Sequence, residues 1–373
     1  MKKIKSISLY LSVCFGLCLF NSCVEQFNFD TGSEASVLVI ESFISDQSFN
    51  DQGVQPLDPR YFQVSLSTTS RVSNILDQPV TGAEVMLIDD TNEHWDYSED
   101  EEGIYRLYFE TFKAEDGKQY KISVTLQNGD VYESTFEGLP VDTPQGGLVL
   151  EEKTIRDYKV VSGETKIVDV DGLAIKIKTP EVSTTQEFIY HRWDFETTYG
   201  FVARLLPTQT DPNYKCWVTE ELYYNDFVIA KEESGGNEHD LFFFDSSDEN
   251  LHEGISVLIR HQMMNQLNYQ FWEDLDNQKN QADVFAPPPY NLLSNFSAVG
   301  HEGEVYGYFG VVREKFYRWT FSRDMLSYSV VYPESLKNSC NIPRPPRSCY
   351  DCRFVNLVSR SRVTNTQPNW WLE

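Results

Sequence analysis

The sequence has few basic residues. Its 373 residues include 31 lysines and arginines against 57 aspartates and glutamates, which gives a formal net charge of −26 at pH 7. Nucleic-acid binding depends on basic side chains that neutralise phosphates, so we predict that this chain does not bind nucleic acid. The same charge disfavours adhesion to an anionic bilayer. Any membrane attachment therefore has to come from lipid.

The sequence also lacks an apolar run long enough to span a membrane, which takes roughly 20 residues. Its apolar stretch at residues 7–20 follows a basic start and leads to Asn21, Ser22 and Cys23. A basic start, an apolar centre and a small residue at the cleavage point make up a secretory signal. We predict a signal peptide over residues 1–22 and a lipid-carrying Cys23, as in bacterial lipoproteins. A plain cleaved signal is the alternative.

Cysteine is scarce beyond the predicted signal. The remaining cysteines are Cys216, Cys340, Cys349 and Cys352. In an oxidising, exported compartment they are predicted to form two disulfides, with three possible connectivities. The spacing of Cys349 and Cys352 also fits a zinc site. A redox-active pair is a third interpretation, which Pro345 and Pro346 just upstream disfavour because such a pair usually opens a helix.

Motifs for catalysis are missing from the sequence. It contains no Gly-x-Ser-x-Gly elbow, no His-Glu-x-x-His and no glycine-rich phosphate loop. The six histidines are scattered, and solvated loop positions are favoured for them, including His252 and His301. Two acidic stretches, residues 99–102 and 169–172, are interpreted as a solvated hairpin tip and a strand-to-strand turn rather than calcium loops. We predict no catalytic residue, metal or cofactor.

Short apolar strands are plentiful instead. Phe62, Val64 and Leu66 alternate with polar residues, which is the period of a half-buried strand. Asn128-Gly129 predicts a two-residue type I′ hairpin turn that sets Leu126 opposite Val131. Strands that recur at a spacing of roughly 8–12 residues, with turn signals between them, predict an immunoglobulin-like β-sandwich over residues 36–144. Residues 23–35 are predicted to be an acidic tether.

The region from 145 to 373 is predicted to be a second β-rich domain with one amphipathic helix near residues 264–280. Met264, Leu267, Phe271 and Leu275 recur there at helical spacing. Residues 232–253 are acidic and are predicted to form a long exposed loop. The proline run at 287–289 is predicted to be extended.

Four tryptophans are candidates for ligand contact, although burial is the more frequent role of this side chain in a β-sandwich. They are Trp193, Trp217, Trp370 and Trp371.

Five stretches together resemble the Bacteroidota lipoproteins called domain of unknown function 4249. They are residues 38–41, residues 82–85 with 103–105, residues 190–193, residues 295–310, and residues 349–352 followed by 368–370. The resemblance implies a β-rich, lipid-anchored outer-membrane protein at the cell surface. It further implies an accessory partner of a TonB-dependent receptor in nutrient uptake. The family has no known catalytic residues to carry over.

The expected function is therefore binding without catalysis. Two alternatives remain open. A cell-surface hydrolase of glycans or peptides would use two carboxylates at catalytic separation. A structural adhesin would present a flat surface instead.

Overall fold

The computed structural model describes residues 36–52, 60–69, 78–161, 163–181, 188–221, 227–246, 251–280, 293–328, 340–355 and 361–371. The predicted signal peptide, Cys23, the acidic tether and the proline run at 287–289 lie outside the described residues. Within those ranges the chain is mainly β and contains one α-helix, as predicted from the sequence.

The elements follow one another in this order. The first ten strands are β1 (Leu38–Ser45), β2 (Gln63–Thr68), β3 (Gln78–Pro79), β4 (Glu84–Asp89), β5 (His94–Asp96), β6 (Ser98–Glu101), β7 (Ile104–Arg106), β8 (Gln119–Thr125), β9 (Val131–Ser134) and β10 (Glu137–Gly138). The later elements are β11 (Gly147–Val161), β12 (Glu164–Lys178), β13 (Ile189–Val202), β14 (Lys215–Glu221), β15 (Val228–Glu232), β16 (Glu238–Asp245), β17 (Ile255–Met264), α1 (Gln266–Asn280), β18 (Phe296–Val299), β19 (Val305–Tyr306), β20 (Phe309–Thr320) and β21 (Arg362–Thr364).

The strands form three sheets. The long sheet has the order β21-β14-β13-β17-β20-β1-β2-β7-β6, with β3, β15 and β19 attached at its sides. The six-stranded sheet has the order β18-β9-β8-β4-β5, with β10 beside β8. The hairpin sheet consists of β11, β12 and β16.

Period-two alternation builds a sandwich from the long sheet and the six-stranded sheet. Val64 and Leu66 of β2 point into the same core as Leu87 of β4 and Ile122 and Val124 of β8. Burying such apolar faces against each other is the main favourable term in folding. The arrangement agrees with the strand pattern predicted for this part of the sequence.

The long sheet connects strands from both sides of residue 144. Strand β1 pairs antiparallel with β2 and parallel with β20, where Ser42 lies opposite Phe309. Strand β18 also joins the six-stranded sheet beside β9. The described residues from Val37 onward belong to one compact unit. The domain boundary proposed at residue 144 stays a prediction.

The turn at Asn128 differs from its prediction. Thr125, not Leu126, lies opposite Val131, and the Gly129 N–H donates to the Leu126 carbonyl. Among these turn residues only Gly129 has a positive φ, of 90°. A type I′ turn needs positive φ at both central residues, so the prediction is wrong and the loop is three residues long with glycine last.

Two further predictions about loops are wrong. Residues 169–172 lie inside the 15-residue strand β12 rather than in a turn. Gly172 allows this because a side chain there would collide with the Phe244 carbonyl of the neighbouring strand β16. Residues 232–253 contain β16, so they are not one long exposed loop. The acidic stretch at 99–102 is exposed, as predicted, but residues 99–101 lie in strand β6 and only Glu102 lies in the hairpin turn.

The predicted helix is present as α1, but its buried face is shifted. Met264 lies in β17 rather than in the helix, and Leu267 is 50% exposed. The buried apolar residues of the helix are Tyr269, which packs against Tyr190 of β13, and Phe271, which packs against Tyr308. The apolar side of α1 is therefore set by its aromatic residues.

Candidate functional site

The hairpin of β11 and β12 extends far beyond the third strand of its sheet. Its two strands pair over their whole length, from Gly147 opposite Lys178 to Val161 opposite Glu164. Strand β16 pairs only with residues 172–178 of β12. We call residues 154–171 the arm. Eight residues of each strand lie beyond the residues that pair with β16.

The arm exposes a row of large apolar side chains. Tyr158 and Val160 are each 72% exposed, and Ile167, directly opposite Tyr158, is 59% exposed. These side chains continue the face that, nearer the base, buries Leu173 and Ile175 in the core. Apolar residues grouped on one exposed face are typical of an interaction surface.

Several charges on the arm are paired, two of them within the arm and one with β16. Arg156 lies 3.6 Å from Asp169, Lys166 lies 3.0 Å from Glu164, and Lys159 pairs with Asp245. Exposed pairs of this kind contribute little to stability. Among the described residues β11 pairs only with β12, so its outer backbone edge is open. An open edge next to apolar side chains is a place where another chain can bind.

A cluster of imidazoles lies in the core at the base of the hairpin sheet. His191 Nδ1 and His261 Nε2 are 2.9 Å apart, and each residue is only 1% exposed. The Trp193 ring lies nearly parallel to both imidazoles, with centroids 5.4 Å from His191 and 4.9 Å from His261. His239 of β16 faces Trp193 and pairs with Glu232 of β15. The pair between His239 and Glu232 thus connects the hairpin sheet to the long sheet.

Burial sets the protonation of His191 and His261. It lowers the pKa of His191 to about 4 and the pKa of His261 well below its usual value. Both rings are therefore neutral at pH 7. The prediction of solvated histidines is wrong for this pair, and it is also wrong for His252, which is buried. Nothing in a single sequence shows that two histidines on separate strands will meet.

The opposite face of the long sheet carries a network of charges. Arg260 donates to Asp194 over 3.2 Å and to Glu196 over 2.9 Å, while Arg192 donates to Asp194 and to Gln262. Burial alone would raise the pKa of Glu196, but the nearby guanidiniums outweigh it and lower that pKa overall. This network joins β13 to β17, so its evident role is structural.

Three of the four candidate tryptophans lie in the interior. Trp193, Trp217 and Trp371 are buried, which leaves them no broad exposed ring face. Trp370 is half-buried and lies over the guanidinium of Arg318 at 3.5 Å. Ligand contact by these residues stays a prediction, and the geometry places only Trp370 near the surface.

The four predicted cysteines form two disulfides, as the sequence indicated. Cys216 is bonded to Cys352, and Cys340 is bonded to Cys349. These bonds leave no thiolate on the four residues for the zinc or redox alternatives. Across the described ranges, no group of three or more histidine, cysteine, aspartate or glutamate side chains is arranged to hold a metal ion. No helix in the same ranges is long and apolar enough to cross a membrane.

The architecture is that of a mainly β protein with several packed sheets, and comparison assigns its family. The model for "Domain of unknown function (DUF4249)" matches residues 24–318, and the chain belongs to this family. No curated protein matches the chain.

Similar solved structures include the crystal structure of a DUF4785 family protein from Legionella pneumophila. The identity is 9% and the TM-score is 0.16, over 60% of this chain and 51% of that one. The chain thus spans about half of that structure's length, and so weak a likeness supports no functional conclusion.

Proposed function

We propose that this chain is a lipid-anchored protein of the outer membrane of Bacteroidota that binds, rather than transforms, its target. Its target in this proposal is a TonB-dependent receptor, and its role is accessory to nutrient uptake. Family membership supports the proposal, because the sequence resemblance implied this setting. The signal-like stretch before Cys23 supports the lipid anchor.

The structural observation that favours binding is the exposed row on the arm. Interfaces between proteins are enriched in aromatic residues at their centres, with polar residues around them. Tyr158 with Val160 and Ile167 matches that composition, and the paired charges of the arm surround them. The row is exposed, so a partner can contact it without rearrangement of the core.

Capture of the partner tests the proposal. The tagged protein would be purified from detergent-solubilised native membranes as wild type, as Tyr158→Glu/Ile167→Glu, and as a Tyr350→Glu control. Tyr350 is also an aromatic residue about half exposed, but it lies outside the arm. We expect a TonB-dependent receptor to co-purify with wild type and control, and about tenfold less of it with the arm variant. Recovery of the wild type without a receptor would contradict the proposal.

The anchor is tested separately. Mass spectrometry of the native protein should find an acylated N-terminus at Cys23, and Cys23→Ser should release the protein from membranes. An unacylated N-terminus elsewhere would refute the anchor. Glycan or peptide hydrolysis by the purified wild type would favour the hydrolase alternative instead.

A further inference from the structure

The imidazole cluster lies between two sheets that are not hydrogen-bonded to each other along their strands. His191 and His261 belong to the long sheet and face the hairpin sheet, since Trp193 beside them shares a core with Ile175 and Ile177 of β12. The arm is the outer part of that hairpin sheet. A change that separates the hairpin sheet from the long sheet would therefore also displace the arm.

The distance between the two rings limits how many protons they can hold. With both rings neutral, one N–H can lie between His191 Nδ1 and His261 Nε2, which are 2.9 Å apart. One added proton places a charge in an apolar core, which is costly without a compensating partner. A second added proton makes two N–H groups face each other, and like charges at this distance repel strongly. The pair is therefore disfavoured with one added proton and with two, as long as the two sheets stay packed against each other.

The other charged groups around the pair do not remove this conflict. On β15, the carboxylate of Glu232 favours protonation, but it is already engaged by His239 of β16 and by the Thr179 hydroxyl. Lys315 of β20 lies opposite His261 and disfavours a further positive charge, although Asp142 pairs with its ammonium.

Further neighbours of the pair among the described residues carry no charge. Tyr317 of β20 lies 6.2 Å from His261 between ring centroids, and its hydroxyl accepts from the Gly146 N–H. Thr143 donates to Met263, which lies opposite His191. Strand β12 contributes Ile177 beside His239. In the described part of the chain, these uncharged neighbours supply nothing that would neutralise two imidazolium ions.

We propose that His191 and His261 form an acid-sensitive latch, whose protonation separates the hairpin sheet and its arm from the long sheet while the sandwich of the long sheet and the six-stranded sheet stays folded. The latch is a property of the chain by itself. Its consequence, that acid withdraws the arm from a partner, rests on the proposed function. The sandwich has its own core, so it need not open when the hairpin sheet does.

Amide hydrogen exchange on the full chain tests the latch, with rates corrected for the intrinsic effect of pH. Between pH 7.5 and pH 4.5 we expect protection in β12 and β16 to fall about tenfold, with β4 and β8 changing less than about twofold. In His191→Gln/His261→Gln the tenfold change should vanish. A His301→Gln control, altered on the sandwich, should behave as wild type does. Equal loss of protection in all strands, or the same loss in the double variant, would overturn the proposal.

Titration of the wild-type ring protons by NMR keeps the proposal testable if the double variant does not fold. His191 and His261 should take up protons below the usual pH of about 6.5, in step with the loss of protection in β12. Ordinary titration near pH 6.5, with β12 still protected, would refute the latch. That outcome would leave receptor capture at neutral pH untouched, so the two proposals fail separately.

Discussion

Cys216 of β14 is bonded to Cys352, 136 residues further along the chain, with their Cα atoms 5.5 Å apart. Both cysteines are fully buried, and the Cys352 N–H also donates to the Asn213 carbonyl just before β14. The bond therefore fastens the segment around Cys352 to the edge region of the long sheet. A second bond, from Cys340 to Cys349, closes a loop with a separation of only 9 residues.

We expect the two disulfides to differ in their effect on stability. Loop-closure entropy assigns about 5 kcal/mol to the Cys216–Cys352 bond and about half of that to Cys340–Cys349. Cys216→Ala/Cys352→Ala should therefore unfold at a lower urea concentration than Cys340→Ala/Cys349→Ala. Urea titrations under non-reducing conditions measure the difference. The reverse order would show that the shorter loop carries more native-state stabilisation.

Two isoleucines of β12 should respond differently to truncation. Ile167 is on the arm and 59% exposed, whereas Ile175 is fully buried. We expect Ile167→Ala to change the free energy of unfolding by less than about 0.5 kcal/mol. Ile175→Ala should cost about 2 to 5 kcal/mol, because it leaves a cavity. A large loss of thermal stability in Ile167→Ala would mean that the arm packs against its own chain.

Loss of the buried carboxylate at Glu196 should be costly. Its side chain is fully buried against Arg260, and Glu196→Gln leaves that guanidinium short of a counter-charge. Breaking one side of a buried ion pair costs about 3 to 5 kcal/mol. The matched control is Glu133→Gln, which breaks a partly exposed pair with Lys121 and should cost less than about 1 kcal/mol. Chemical denaturation compares the two, and equal costs would contradict the structural role assigned to the network.

Gly172 should not tolerate a side chain, whereas Gly147 on the partner strand should. A Cβ at Gly172 would lie 2.0 Å from the Phe244 carbonyl oxygen, while one at Gly147 meets no atom within 4 Å. We expect Gly172→Ala to lose about 1 to 3 kcal/mol through displacement of β16. Gly147→Ala should be neutral or slightly stabilising, since alanine restricts the unfolded chain. The melting temperatures of the two variants and of wild type test this prediction. Equal melting temperatures for Gly172→Ala and Gly147→Ala would contradict it.

Asp89 should contribute to the pH dependence of stability. Burial alone would raise its pKa, but hydrogen bonds from the Thr91 hydroxyl and from the Thr91 and Glu93 N–H groups lower it overall. A carboxylate with a lowered folded pKa stabilises the protein above about pH 4, and that contribution is lost as the pH falls through the folded pKa.

The Asp89 prediction is checked by urea denaturation across pH 3 to 7. Wild type should be more stable than Asp89→Asn at neutral pH, and the gap should narrow as the pH falls below about 4. Its exposed neighbour provides the control, since Asp90→Asn should follow wild type throughout. A gap that stays constant with pH would show that the charge of Asp89 is not what stabilises this turn.

Alternation allowed much of the fold to be predicted. The alternation predicts that Val64 and Leu66 share one face of a strand, and both are buried on that face. The four cysteines of a chain expected in an oxidising compartment predict two disulfides, and both are present. The turn at Asn128 was missed because asparagine tolerates positive φ without requiring it. The sequence predicts a turn at residues 169–172 because Asp171-Gly172 has the composition of a turn. In the structure these residues continue strand β12, and Gly172 is needed for the close approach of β16.

The arm and the latch could not be predicted, because both depend on contacts between distant strands. Tyr158 and Val160 carry the alternation of any strand, and they are exposed because they lie beyond the part of the hairpin that packs in the core with Leu173 and Ile175. His191 and His261 lie on separate strands, and pairing between those strands is what brings them together. A single sequence contains the residues that make such contacts, but it does not show which strands pair with each other.

The parallel pairing of β1 with β20 also constrains how the chain folds. Ser42 is synthesised long before Phe309, its partner across the sheet, so the middle of the long sheet is assembled late. Contacts between residues so far apart in the chain are slow to form. The early strands must avoid aggregation in the meantime, which makes a holding chaperone valuable until the last third of the polypeptide has emerged.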